Sequence, residues 1–403
     1  MRVISYSVGW KKPFLISLIS TLMLNSYLGM FLVYPIYLKI VGIDSIKIGF
    51  LMGLFYVANM AIRPIGSMVL ERLSMKKASF LAFFFLFISA IGLIFSLSPK
   101  IIALWRLLGG LGYGIGTVSL TAYQSIIVPE RIRGSSFAWI SVCYVSPQLL
   151  FVPIASHFIK IGHYMAYLSM FLIFSVLFIL ASQFLNEIKD INLEECNSYN
   201  NNAPSWGTYR ELLKTKGIFT YIISILTFSI INGTILMYAT TLLYEKGLHP
   251  SLFLSINASV AMIIRIVGNR MLNQLNRYRW LGLSLLIMIF STFLMGHSSK
   301  SVHFILLSIT YGSGMAISFP FLLAIASDIT VLSLRPKASA LAWLTMDFGY
   351  VLSPIIIGIT SHVKDISFSF KILSIFCLPT ALLISYLWKQ FLTEKRLNET
   401  IRP

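Results

Sequence analysis

Twelve long, unbroken apolar runs fill most of the sequence: residues 13–38, 46–70, 78–97, 101–128, 134–160, 164–186, 217–243, 251–272, 279–297, 301–330, 337–362 and 367–391. A helix needs about 20 apolar residues to cross the hydrocarbon core of a bilayer. Of the 403 residues, 57% are hydrophobic and 11% charged, against roughly a quarter charged in a soluble domain. No aqueous core could bury this much apolar surface, so the bilayer is the solvent. There, every backbone N–H and C=O must be paired within the chain, which leaves helices or a closed barrel. A barrel would show short alternating strands. Continuous runs predict an all-α integral membrane protein with twelve spans. The first run is too long for a signal-peptide core and lacks a small-residue cleavage site, so it reads as the first span.

The net charge of +18 is a topology signal rather than a nucleic-acid footprint. With the N-terminus in the cytoplasm, 21 of the 32 Lys and Arg fall in cytoplasmic segments, 8 in outer loops and 3 (Arg63, Arg106 and Arg265) within spans. This is the positive-inside bias. It predicts both termini in the cytoplasm, in a plasma membrane. It also makes anionic lipid headgroups the partner of the basic face. No nucleic acid is expected as a partner. The three cysteines, 143, 196 and 377, fit neither a metal site nor a disulfide framework.

Residues 187–216 interrupt the apolar pattern. This polar, Asn-rich stretch reads as a cytoplasmic linker, with a short amphipathic helix expected at 205–215. It separates an N-terminal half, 1–186, from a C-terminal half with a cytoplasmic tail, 217–403. The halves repeat. RPIGSMVLERLSMKK from Arg63 resembles RIVGNRMLNQLNRYR from Arg265, SSFAWIS from Ser135 resembles SALAWLT from Ser339, and PIASHF from Pro153 resembles GITSHV from Gly358. The offsets of 202, 204 and 205 are nearly constant, as an internal duplication requires.

With two six-span halves and the loop motif at 63–77, the sequence resembles a major facilitator superfamily (MFS) transporter, closest in motif style to bacterial drug and metabolite exporters. In the loop between helices 2 and 3, Ser67 stands for the family's first Gly, Glu71 for its Asp, Arg72 for its Arg and Ser74 for a second Gly. The resemblance implies that Ser67 and Glu71 meet helix 11 and latch one access state, with Arg131 or Arg133 as charge partner and Arg63 at the interface. A small residue lets helices approach, and an acid can cap a helix N-terminus. The plainer alternative is that the basic residues only enforce topology.

Helix 4 carries ALWRLLGGLGYGIG, which resembles the family's Arg-x-x-x-Gly-x-Gly motif through Arg106, Gly110, Gly112 and Gly114. An intramembrane Arg costs at least about 2.5 kcal/mol at mid-span. Either Arg106 binds an anionic group or tunes a proton site, or it snorkels to the outer surface. Helix 5 keeps Pro147 of the exporter signature but has Ser146 for Gly, while helix 11 offers the closer match GYVLSPIIIG with Pro354. Both prolines are expected to loosen their helices for gating.

Asp347 lies near the middle of its span and Asp328 near the end of helix 10. Desolvation favours the neutral form of an acid, so both are candidate proton carriers, Asp328 with Arg335 as its alternative partner. His157 and His362 read as interfacial. The resemblance implies that helices 1, 4, 7 and 10 line a central cavity, where the substrate-binding candidates are Asn25, Tyr34, Arg106, Tyr113, Gln124, Asn232, Tyr238, Tyr311 and Phe319. Asn25 and Asn232 sit near mid-span, where each needs a partner, ligand or water.

No GxxxxGK[ST], HExxH, GxSxG or CxxC occurs, so neither ATP-driven pumping nor catalysis is expected. The expectation is a monomeric secondary transporter working by alternating access, with no cofactor beyond the proton gradient. It exports a small metabolite, siderophore-like or otherwise anionic or polar, or a drug, by antiport. The alternatives are proton-symport uptake of an amino acid or organic acid, and a sensor or scaffold that does not transport.

Overall fold

A computed structural model describes residues 11–72, 75–128, 133–185, 208–267, 275–331 and 334–401. Among them there is no strand. The helices are α1 (Lys11–Met30), α2 (Tyr34–Ile40), α3 (Ser45–Arg72), α4 (Met75–Phe95), α5 (Pro99–Ile127), α6 (Arg133–Leu150), α7 (Val152–Lys160) and α8 (Tyr164–Gln183). They continue as α9 (Tyr209–Lys214), α10 (Ile218–Glu245), α11 (Leu252–Val267), α12 (Arg277–His297), α13 (Ser301–Ile329), α14 (Arg335–Val363) and α15 (Ile366–Ile401). Eleven stretches are long and apolar enough to cross a membrane, with α1–α2 counting as one and α6–α7 as another. The 16-residue α11 is the twelfth, shorter apolar helix.

Two of the expected single spans are broken. The first stops at Met30 and restarts at Tyr34, with Pro35 in the opening turn of α2. Proline has no N–H to give to the preceding turn, and its ring suits a helix start. The Leu32 carbonyl, left at the break, accepts instead from the Thr240 hydroxyl of α10 at 2.5 Å. The fifth run divides at Phe151, four residues past Pro147. The linker helix α9 has a capping box at its start. The Thr208 hydroxyl accepts from the Glu211 N–H, and the Glu211 carboxylate accepts from the Thr208 N–H, each at 3.3 Å.

The chain forms two compact units. The first holds Met1–Phe31, Ala58–Pro147 and His157–Ala203; the second holds Leu32–Val57, Gln148–Ser156 and Pro204–Pro403. The α1–α2 break and Pro147 both fall on the division.

The first unit is built on α1, α4, α5 and α8. Gly109, Gly112 and Gly116 make one stripe of α5, at helical spacing. A β-carbon on Gly112 would sit 2.8 Å from the Ala82 carbonyl oxygen and 2.9 Å from the Leu86 nitrogen. Both are backbone atoms of α4, so only glycine allows this approach. Overpacking of this kind costs about 1–3 kcal/mol. Gly112→Val is therefore expected to lower the thermal midpoint of the detergent-solubilised protein by several degrees. An unchanged midpoint would show that α4 and α5 have room to spare.

The second unit packs α10 against α14, α11 against α13, and α12 against both α13 and α15. Trp388 of α15 is fully buried, stacked on Tyr278 of α12 at 4.9 Å, and its indole N–H donates to Ser224 of α10 at 3.2 Å. One large ring so ties three helices together.

Candidate functional site

In the first unit, Asn25 lies in the second half of α1 with 3% of its surface exposed. Its amide donates to the Thr21 carbonyl at 2.8 Å, and its oxygen accepts from the Tyr113 hydroxyl of α5 at 2.9 Å. One turn away, the Gln124 amide donates to Thr21 Oγ1 at 2.9 Å and Ser17 Oγ at 3.3 Å. Asn25, Tyr113 and Gln124 are thus brought together.

Arg106 is elsewhere. It is fully buried rather than snorkelling to the surface, with its guanidinium carbon 3.8 Å above the Phe31 ring. Phe31 is packed on Phe171 at 4.5 Å and on Tyr27 at 5.6 Å. Tyr27 donates to Ser89 at 2.9 Å, which donates to the Trp105 carbonyl at 2.7 Å. The arginine lies on one aromatic face, where a desolvated cation gains about 2 kcal/mol.

In the second unit the same Asn–Tyr pairing recurs between α10 and α13. Asn232 accepts from the Tyr311 hydroxyl at 3.1 Å and donates to Tyr350 of α14 at 2.9 Å. Tyr350 stacks at 5.1 Å on Tyr56 of α3. Asp347, 2% exposed, shares the face of α14 that carries Trp343 and Tyr350, by spacing of four and three. Phe319 lies between Phe228 at 6.1 Å and Trp343 at 6.4 Å. Tyr34 is on α2, stacked on Tyr37 at 5.7 Å, and the Tyr238 hydroxyl reaches the Pro354 carbonyl only at 3.4 Å.

Asp328 is not a buried acid. It is exposed, and both its oxygens accept from Arg277 at 2.8 and 2.9 Å; the side chain of Arg335, the expected alternative partner, lies outside the described residues. Its sequence position near a helix end could not separate burial from a surface ion pair. Arg63 is half-buried on α3, and the helix runs on past it to Arg72. The side chains of Ser67, Glu71, Arg72, Arg131 and Arg133 lie outside the described residues, and so does the expected latch. Pro147 lies inside α6, preceded by Ser146, whose hydroxyl donates to the Val142 carbonyl at 2.7 Å.

At one end of the second unit α3 and α14 cross closely. A β-carbon on Gly49 of α3 would land on the Pro354 carbonyl oxygen and 3.1 Å from Gly358 Cα. A β-carbon on Gly358 would lie 2.8 Å from the Ser45 carbonyl oxygen. Backbone thus meets backbone at this crossing. Beyond it Lys39 pairs with Glu245, and His362 approaches Asp44 at 3.7 Å. Next to these, Lys246 donates to the Ser298 carbonyl at 2.5 Å; burial, then the Lys371 charge, hold its ammonium below the ordinary lysine range. The sequence reading missed this glycine contact, although Gly49 and Gly53 stand at the small-xxx-small spacing that announces close helix crossings. It also missed Tyr350, which follows Asp347 by one helical turn.

The profile of the Major Facilitator Superfamily matches residues 14–354 and 251–402. No curated protein sequence matches the chain. Among solved structures, the xylose transporter XylE from E. coli in its inward-open conformation superposes with a TM-score of 0.77 at 16% identity, covering 93% of this chain and 95% of that one. A D-xylose-proton symporter gives 0.73 at 16% identity, covering 92% and 96%. The nucleoside transporter NupG gives 0.71 at 15% identity, covering 94% and 99%.

Proposed function

The chain belongs to the major facilitator superfamily, and from that premise we propose a proton-coupled exporter of a small polar metabolite, cycling by alternating access. That it is a multi-pass membrane protein of a transporter family, and not an enzyme family, is the firm ground. The observation that carries the rest is the α3–α14 crossing, which acts as a seal. Three glycines bring α3 against α14, and the Lys39–Glu245 ion pair and the His362–Asp44 contact stand beyond them. Exposed ion pairs contribute about 0–1 kcal/mol each, and at the glycines themselves no α3 side chain has to be withdrawn. Such a seam can hold and still reopen. The Lys and Arg bias supports an outer position for it in a plasma membrane, with both termini in the cytoplasm.

The halves 1–186 and 217–403 are the rocking bodies of this reading, joined by 187–216. A monomer suffices, since each half carries its own Asn–Tyr cluster. Outward movement rests on the exporter-like Arg63–Pro64 lead-in. Ser146, in place of the exporter's glycine, favours the second reading, inward proton symport.

Asp347 is the proton carrier in this scheme. It is nearly inaccessible, and one turn from Tyr350 it adjoins the Asn232 cluster. Reconstituted in liposomes with a pH-sensitive dye and a panel of sugars, nucleosides, amino acids and organic acids, the protein is expected to move protons against one class of solute. Asp347→Asn is expected to keep solute exchange and lose gradient-driven accumulation by about tenfold or more, since an amide cannot cycle a proton. Gradient-driven accumulation at the wild-type level would remove Asp347 from the mechanism. Everted and right-side-out vesicles separate export from import.

A further inference from the structure

The sequence treats Arg265 as the repeat of Arg63, an interfacial cation free to reach the cytoplasm. Its position differs. Arg265 is 6% exposed, and its guanidinium carbon lies 5.6 Å from the Phe319 ring centre. Among the described residues, neither its Nε nor its Nη2 has a hydrogen-bond partner. These two atoms form one edge of the guanidinium, the pair of parallel N–H groups that matches a carboxylate or phosphate in bidentate fashion. Two turns earlier on the same helix, Asn257 is 0% exposed, and among the described residues neither its amide nitrogen nor its oxygen has a partner.

Buried polar groups are hydrogen-bonded in the great majority of cases. Two unsatisfied ones on one helix therefore call for a common cause. Asn257, Ala261 and Arg265 follow at intervals of four, so they line one stripe of α11. Between the two polar residues that stripe carries only a methyl group. Helical side chains lean toward the N-terminus, which turns the Arg265 fork back toward Asn257 and away from the helix end. Facing this stripe, α13 presents Gly312 beside Asn257 and Phe319 beside Arg265. Gly312 adds no side chain, and Phe319 gives the cation a ring face while leaving its edge open. A phenyl ring cannot accept the two in-plane N–H bonds.

Resting on the transport reading above, we infer that the Arg265 fork and the Asn257 amide form a recognition site for an oxyanion, the carboxylate or phosphate group of the transported solute. The cation supplies charge and planar geometry, and the amide supplies a donor for the anion or an acceptor for a neighbouring hydroxyl. A buried donor without a protein partner destabilises the fold. A ligand that satisfies it regains that loss.

The test uses the full chain in lipid nanodiscs, with the thermal midpoint as readout. The probes are citrate, inorganic phosphate and, as a neutral control, xylose. Citrate or phosphate is expected to raise the midpoint in a saturable way, and which of them does so identifies the source of the oxyanion. Arg265→Lys keeps the charge and loses the fork, so the apparent affinity is expected to fall about tenfold or more. Asn257→Leu removes the unsatisfied amide, so it is expected to raise the midpoint of the empty protein and abolish the oxyanion shift. A wild-type protein indifferent to both oxyanions overturns the site. Undiminished oxyanion shifts in both variants overturn it equally. If a neutral solute crosses the liposome membrane while no oxyanion binds, this site fails and transport stands. If oxyanions bind and no solute crosses under any gradient, the site stands and the transport reading fails.

Discussion

Gly49→Leu is expected to slow transport by about ten- to a hundredfold while leaving the protein folded and in the membrane. The new β-carbon would collide with the Pro354 carbonyl oxygen and approach Gly358 Cα to 3.1 Å. Both obstacles are backbone and cannot rotate aside, so α3 and α14 must separate. Overpacking costs about 1–3 kcal/mol, and each 1.4 kcal/mol is a factor of about ten in an equilibrium. In the alternating-access reading proposed above the crossing parts when the outer side opens, so the cost becomes a population shift against the sealed state. The check is direct. Thr241 is 2% exposed and lines the crevice at the seal with Pro35 and Lys39. A cysteine at 241 should react with an impermeant maleimide added outside in the Gly49→Leu background and be protected otherwise. Gly53→Ala serves as the graded comparison, since its β-carbon would lie 3.2 Å from the Val351 carbonyl oxygen, and its transport is expected within about twofold of wild type. Wild-type flux in Gly49→Leu, with position 241 still protected, would show that the glycine crossing has no part in the cycle.

The helices were legible because hydrocarbon leaves a chain almost no choice. Twelve apolar runs gave eleven long apolar stretches and one short helix. What hydropathy could not show were the breaks within runs. Phe31, Leu32 and Val33 are as apolar as their neighbours; the helix stops there because Pro35 withholds an N–H and Thr240, 208 residues away in sequence, is placed to take a carbonyl. The capping box Thr208–Glu211 is the opposite case, a local pattern that states its own structure.

The site was legible in type and not in pairing. An asparagine at mid-span needs a partner, which the sequence says; that the partners are Tyr113 for Asn25, and Tyr311 with Tyr350 for Asn232, depends on helix rotation, which it does not say. Arg106 and Arg265 look alike in sequence, each a lone cation in an apolar run. One lies over the face of Phe31, which Phe171 and Tyr27 hold in place, whereas the other keeps an open fork. Asp328 and Asp347 are both acids within apolar runs, and Arg277 claims the first, nearer its helix end, at the surface. Whether such a charge is structural or functional is decided by its neighbours on other helices, and no single run contains them.

Replacing Asn232 with leucine is expected to give the largest loss among the polar positions, and the reason allows a clean separation of packing from binding. Asn232 bridges two tyrosines, accepting from Tyr311 at 3.1 Å and donating to Tyr350 at 2.9 Å. Leucine has a similar volume and removes both bonds, leaving the fully buried Tyr311 hydroxyl without its acceptor. An orphaned buried group costs about 1–3 kcal/mol, so the thermal midpoint should drop and flux should fall by roughly tenfold or more. Loss of flux alone could then reflect loss of fold. The triple variant Asn232→Leu, Tyr311→Phe, Tyr350→Phe removes every member of the cluster at once. Replacing all partners by apolar groups of the same shape is nearly neutral for stability, so its midpoint should return close to wild type. Its transport should not return, because a solute that exchanges hydrogen bonds with the amide and the two hydroxyls finds none of them. If the triple variant regains both stability and flux, the Asn232 cluster holds three helices together and does not touch the solute. If it regains stability alone, the cluster is part of the binding site, and Tyr311→Phe and Tyr350→Phe taken singly will rank which hydroxyl the solute uses.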